Sequence, residues 1–483
     1  MTENSEFKPT LSLLDATMIV MGSMIGSGIF IVSSDMARTL GSPIWLLLVW
    51  LLTGLVTLLA ALSYGELAGM MPKAGGQYVY LREAFNKPVA FLYGWTLFTV
   101  IQTGTIAAVG VAFAKFTSYW IPFFSEKNIL IQLAGLNISA AQLLAILSIV
   151  FLTLINLRGV QTGKNIQTFF TIIKVIALIG LIIAGFAYCL SFNYYDRNFS
   201  QAFQAFTTRT SNDTITIIKL SGMALIAAIS VSMVGSLFSS DAWNNITFIA
   251  AEVKDPKRNI PRSLVMGTLG VTLLYIICNM MYLGVLPFTG LPEGQTVIQR
   301  GIQFAESDRV GVAAAQIISP LYGSYIMASL IMLSTFACNN GLILSGARVF
   351  YAMANDGLFF KPAARLNKQG VPAWSLVAQC IWACGLCLTG TYGNLLDYVI
   401  FSVLLFYIIT IYGVMVLRKT KPQAERPYKA LGYPYLQYLY IVLALLICIF
   451  LLIYKHTYTW PGLIIVAFGV PVYYLIHAKR KTT

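Results

Sequence analysis

A chain of 483 residues with this composition predicts an all-α integral membrane protein of about twelve transmembrane helices, folded as a five-plus-five inverted repeat whose first and sixth helices are broken, with two further helices at the C-terminal end. Three observations carry that prediction. Apolar residues make up 58% of the chain and charged residues only 10%, with a mean hydropathy of +0.75, far more oil than a soluble core holds. Apolar runs of roughly 20 residues, the length that crosses a hydrocarbon layer, recur along nearly the whole sequence. Two of these runs are interrupted by small residues at their middles, Gly22-Ser23-Met24-Ile25-Gly26-Ser27-Gly28 and Gly235-Ser236-Leu237-Phe238-Ser239-Ser240-Asp241. A bilayer tolerates such a break only where the freed amides and carbonyls meet a cavity, water or a ligand, and a break recurring in two halves marks a secondary transporter's binding site.

In order, the expected spans are 13–40, 45–70, 89–120, 140–157 and 166–190, then 223–251, 263–286, 313–352, 374–388 and 395–417, and last 436–454 and 462–476. The two breaks divide the chain into units of five spans, an odd number, so the second unit enters the membrane from the opposite side. The domains that follow are a cytoplasmic N-terminal tail 1–10, a first repeat 11–190, an extracytoplasmic connector 191–222, a second repeat 223–418, a cytoplasmic loop with the last two helices 419–477, and a cytoplasmic tail 478–483. In the connector after the sixth span, Pro256 and Pro261 are expected to end one helix and start the next.

The net charge of +14 does not point to nucleic acid, because the basic residues sort by loop. Lys73, Arg82, Lys254, Lys257, Arg258, Arg365, Lys419 and Lys421 fall on one side with both tails, and far fewer fall on the other. The positive-inside rule then places both termini in the cytoplasm; the membrane expected is the plasma membrane, a bacterial inner membrane. The polar stretch before residue 11 has acids where a signal peptide has bases, so the first span is expected to stay as a membrane helix. All seven cysteines lie in or beside apolar runs and the two histidines sit near the C-terminal end, so neither a disulfide framework, a metal nor a cofactor is implied. No nucleophile and base face one another in the pattern, which speaks against an intramembrane enzyme.

The chemistry concentrates at the breaks. Around Met24, Ile25, Gly26, Ser27 and Gly28, free amides at the positive end of the outer half-helix suit a carboxylate, although Gly22 and Gly26 alone would also make a small-residue packing face. Around Phe238, Ser239, Ser240, Asp241 and Asn244, carbonyls at the end of a half-helix suit an ammonium, with Phe238 as a lid, so a zwitterion matches both ends. Asp241 is a carboxylate at mid-membrane depth, which faces a cavity or a partner, or else caps the second half-helix. Lys174 lies too deep in the fifth span for easy snorkelling and needs acceptors, such as carbonyls of the first break or the hydroxyls of Ser334 and Thr335. It stands as a fixed cation in a sodium ion's place, as a proton-coupling group, or as a snorkelled structural lysine. Glu66, Glu252 and Arg348, near helix ends, are expected in gate or loop ion pairs.

Gly26-Ser27-Gly28-Ile29-Phe30, Tyr64-Gly65-Glu66-Leu67 with Pro72-Lys73-Ala74-Gly75-Gly76-Gln77-Tyr78, and Trp243-Asn244 followed by Glu252 to Pro256 resemble the amino acid-polyamine-organocation superfamily, and within it the L-type amino-acid transporter branch. The resemblance implies a LeuT-like fold and sodium-independent transport of L-amino acids by alternating access, often as exchange. It also implies that Ser27 and Gly28 hold the substrate carboxylate, that the carbonyls of Met24 and Phe238 hold its amine, and that Lys174 replaces a sodium ion. Asp241 stands where many members of the branch carry Gly, a change shared with some that accept cationic amino acids. The loop 121–137 after the third span has no Cys, so no disulfide-linked heavy chain is expected there. An exchanger of small to medium neutral amino acids is the leading expectation; a proton-coupled symporter using Lys174 or Asp241 is the alternative.

Overall fold

The computed structural model describes residues 9–73, 75–133, 136–211, 214–389 and 392–478, so the expected tails lie largely outside the described residues. Ser12 and Asp15 form a capping box that starts α1 (Leu13–Met24): the Asp15 amide donates to Ser12 Oγ at 3.2 Å, and the Ser12 amide donates to the Asp15 carboxylate at 2.9 Å. After the break comes α2 (Gly28–Leu40), bent from α1 by 40° and closed by Gly41 at a φ of +62. Proline opens α3 (Pro43–Met70), and a short α4 (Gln77–Ala84) leads to α5 (Lys87–Thr117), which widens to a π turn at Leu97–Ile101. A second capping box, Ser139 with Gln142, starts α6 (Ala140–Leu157), followed by α7 (Val160–Cys189).

The second half runs through α8 (Gly222–Ser239), the single turn α9 (Asn245–Phe248), α10 (Pro256–Val285), α11 (Val310–Ile318), α12 (Gly323–Asn355), α13 (Ala373–Cys387) and α14 (Tyr392–Thr420). The chain ends with α15 (Tyr435–Tyr454) and α16 (His456–Ala478). Among the described residues nine helices are long and apolar enough to cross a membrane, α1 with α2 makes a tenth as a bent pair, and Ala373–Cys387 and Thr459–Leu475 are shorter apolar helices.

Helix packing repeats itself five spans on. The second span, α3, lies along the seventh, α10, and the third, α5, along the eighth, α12. The first span touches the seventh as the sixth touches the second, and the third touches the tenth as the eighth touches the fifth. Exchanging each span with its counterpart therefore maps the contacts onto themselves, which places the two breaks side by side at the centre.

Several expected bounds shift. The eighth span, expected over 313–352, is two helices separated by Ser319-Pro320-Leu321-Tyr322, because Pro320 can neither donate to the ladder nor let its predecessor stay helical. Pro261 does not start a helix; it lies inside α10, which begins at Pro256. The connectors also hold two antiparallel hairpins that an all-helical reading does not contain, Ile129–Leu133 with Leu136–Ser139 and Phe206–Ser211 with Thr214–Lys219.

Candidate functional site

The Ile25 amide closes the last turn of α1 on the Met21 carbonyl at 2.9 Å, so the carbonyls of Gly22, Ser23 and Met24 leave the helical ladder. Each meets a side chain from a different span. Lys174 of α7 donates through Nζ to the Gly22 carbonyl. Cys338 Sγ of α12 lies 3.6 Å from the Ser23 carbonyl. Tyr275 of α10 has its hydroxyl 3.0 Å from the Met24 carbonyl and 3.0 Å from the Ser239 carbonyl, so one phenol bridges both breaks.

Glycines set how closely these parts approach. A Cβ on Gly22 would strike the side chain of Thr171, and that closeness lets α7 deliver Lys174 one turn further on. A Cβ on Gly28 would strike Ser239, because the start of α2 sits against the end of α8. Gly26 has more room, its nearest atom being Cys338 Sγ at 3.7 Å. Ser27 stands at the N-cap position with the positive end of α2 behind it, and Ile25, fully buried, carries the extended stretch between the half-helices.

At the second break α8 ends in Phe238 and Ser239, and the Ser240 amide donates to the Ser236 carbonyl at 2.9 Å. Ala242 then takes a φ of +62, a left-handed turn unusual for a residue with a Cβ, before α9 resumes. Asp241 does not cap α9; its carboxylate accepts from the Tyr407 hydroxyl of α14 at 2.7 Å. Asn244 reaches Gln77 at 3.4 Å, and Gln77 in turn donates to Thr410 at 3.0 Å. Asp241, Asn244, Gln77, Tyr93, Gln102 and Tyr407 line a cavity of about 20 Å³, room for a water molecule. Asp241, Ser240 and Tyr407 also line a second cavity of about 20 Å³ beside Trp243.

The structure brings together the two breaks, Lys174 and Asn244, but not the two hydroxyls of α12 with the lysine. Thr335 donates to its own helix, 2.8 Å from the Met332 carbonyl, and Ser334 Oγ has no hydrogen-bond partner among the described residues. The Thr335 hydroxyl finds a backbone carbonyl one turn back more readily than a distant ammonium. Tyr275, Gln77 and Tyr407 are the additions that sequence reasoning missed. A phenol inside an apolar run is the available signal, since a buried tyrosine hydroxyl needs a partner.

The two faces of the protein differ. On the face that carries the N-terminus, Glu66 is 1% exposed and receives Arg418 at 2.6 Å, Arg426 at 3.3 Å and the Ala430 amide at 2.8 Å. Arg348 pairs with Glu252 at 2.8 Å, and Tyr78 and Arg82 both hold Asp356. These bonds seal that face. On the opposite face a vestibule of about 390 Å³ reaches down to Gly235, one turn beyond the second break. Arg38 meets Asp308 at 2.7 Å on its wall, and Lys455 meets Asp397 at 3.0 Å.

The sequence pattern of the family described as Amino acid permease matches residues 11–475. The chain belongs to that family. This permease is 30% identical over 436 residues to the b(0,+)-type amino acid transporter 1 of Mus musculus, covering 89% of this chain and 81% of that protein. It is 29% identical over 474 residues to the Large neutral amino acids transporter small subunit 2 of Homo sapiens, covering 97% of this chain and 80% of that one. The permease is thus a member of the L-type branch of the amino acid-polyamine-organocation superfamily, a multi-pass membrane protein that transports amino acids and is not an enzyme.

Proposed function

We propose that the permease is a sodium-independent exchanger of small to medium neutral L-amino acids, working by alternating access between the two faces. The observation that carries this reading is the Lys174 ammonium on the freed Gly22 carbonyl, which sets a fixed cation against the first break where a mobile one would otherwise be needed. Amides at Ser27 and Gly28 would take the substrate carboxylate, and the carbonyls of Met24 and Phe238 its amine, with Phe238 as the lid. Tyr275 occupies one side of the Met24 carbonyl, whose second lone pair is left for the ammonium. Substrate that bridges the two breaks stabilises the closed form, and the empty protein crosses between faces poorly. The ion pairs around Glu66 and Glu252 would then open in the second half of the cycle.

By the distribution of Lys and Arg, the N-terminal face is cytoplasmic, both termini lie there, and the vestibule faces outward in a bacterial inner membrane. With no Cys in 121–137, the subunit would work without a disulfide-linked partner.

A second reading rests on Asp241. Its carboxylate lines two cavities at the second break, a placement suited to a cationic substrate side chain or to a proton carried with the substrate. Proteoliposomes separate the two. Exchange predicts uptake that requires internal amino acid and is the same in sodium and in choline; uptake into empty vesicles that rises with external acid would establish the symporter instead.

A further inference from the structure

On the vestibule face one buried cation has no counter-ion in contact among the described residues. Arg309, at the N-terminus of α11, is 8% exposed, and its Nε and Nη1 have no hydrogen-bond partner among the described residues. Nη2 reaches Ser307 Oγ at 3.1 Å, and the guanidinium carbon lies over the Tyr119 ring, 5.3 Å from its centre. Neither contact neutralises the charge. Glu306 and Glu126 act on Arg309 only at longer range, since neither carboxylate comes within 4.0 Å of it in the described structure. Burying a cation in this way is costly unless something else completes it.

A cavity of about 30 Å³ lies beside this guanidinium, lined also by Arg300, Glu306, Tyr119 and Gln316. Glu306 is already paired with Arg300 at 3.3 Å. Within the lining of this cavity two guanidinium groups meet one carboxylate, Glu126 facing the vestibule instead, and the volume suits one particle of about the size of a water molecule. The N-terminal amides of α11 add a partial positive charge from the helix end.

We propose that Arg309, with Arg300, Tyr119 and Gln316, forms a binding site for one halide-sized monovalent anion in the vestibule-side loop. Asp308, the preceding residue, holds Arg38 at 2.7 Å and stands 3.7 Å from Lys115, so an anion on Arg309 would brace the same turn that ties the vestibule wall.

The test is thermal unfolding of the purified protein at fixed ionic strength, with sodium gluconate replaced stepwise by sodium chloride or bromide. The expected result is a saturable rise of the midpoint by about 2 °C, absent in Arg309→Gln and weakened in Arg300→Gln. No rise in the wild type, an equal rise in Arg309→Gln, or a rise with acetate but not with halide would each overturn the proposal. Should Arg309→Gln fail to fold, a bromide-soaked wild-type crystal decides: anomalous density beside Arg309 supports the site, and its absence at saturating bromide refutes it.

Discussion

Where the first helix breaks, three carbonyls in a row are met by side chains from the fifth, eighth and seventh spans. Where the sixth breaks, the chain turns through Ala242, and a single carboxylate, Asp241, is held by the Tyr407 phenol and the Ala242 backbone and looks into cavities. The first break is anchored from three directions and has little freedom to adapt. The second offers a side chain whose partner can be exchanged for a ligand group. Recognition of what all amino acids share fits the anchored break, and choice among side chains fits the adaptable one.

The largest expected effect tests the closeness of the breaks. Gly28→Leu drives a side chain into Ser239 and should abolish uptake of labelled amino acid in proteoliposomes, while Gly26→Ala, with 3.7 Å to its nearest neighbour, should keep transport within about twofold of wild type. If both variants transport alike, the distinction between the glycines fails. Next comes Lys174→Ala, which leaves the Gly22 carbonyl without its donor; turnover should fall at least about tenfold, or about 1.4 kcal/mol, with a lowered melting temperature. A variant with normal turnover would show that the anchoring is only structural.

Asp241→Asn sharpens the comparison from the other side. Stability should change little, because the Tyr407 contact can persist with an amide, but competition by lysine or arginine against a neutral label should weaken about tenfold if the carboxylate reads substrate charge. Unchanged competition would remove Asp241 from selectivity. The smallest effect lies at the vestibule wall. Burial works to raise the Asp308 carboxyl, yet Arg38 and Lys115 overcome it and hold it below its ordinary value. A carboxyl lowered in the folded state contributes stability above its unfolded pKa and loses it as pH falls through the folded one. Wild type should therefore exceed Asp308→Asn in melting temperature by the equivalent of about 1 kcal/mol near neutral pH, with the gap closing below about pH 4.

The breaks themselves were legible because small residues in the middle of an apolar run conflict with the bilayer's demand for paired backbone, and Lys174 was legible because an ammonium at that depth has few acceptors. Its choice of Gly22 over Ser334 and Thr335 was not, since hydropathy carries no information about which neighbouring helix presents a carbonyl. Tyr275 escaped for a related reason: in a run such as Leu273-Leu274-Tyr275 a phenol counts as apolar, and only the fold shows that its hydroxyl meets two breaks at once. Pro320 did carry a local signal, hidden by the strongly apolar residues on either side of it. The hairpin of Phe206–Ser211 with Thr214–Lys219 carried a signal in the alternation Thr214-Ile215-Thr216-Ile217, which a search for membrane spans passes over.

Glu66 extends the consequences to the far end of the chain. Arg418, one of its counter-ions, ends the tenth span, but Arg426 and the Ala430 amide belong to the linker that leads into α15. The segment after the tenth span is therefore part of what holds Glu66, and not an ornament on a ten-helix engine. A protein trimmed after residue 420 would keep a carboxylate at 1% exposure stripped of a cation and an amide donor, and such a truncation should leak or collapse around Glu66 rather than work as a minimal carrier.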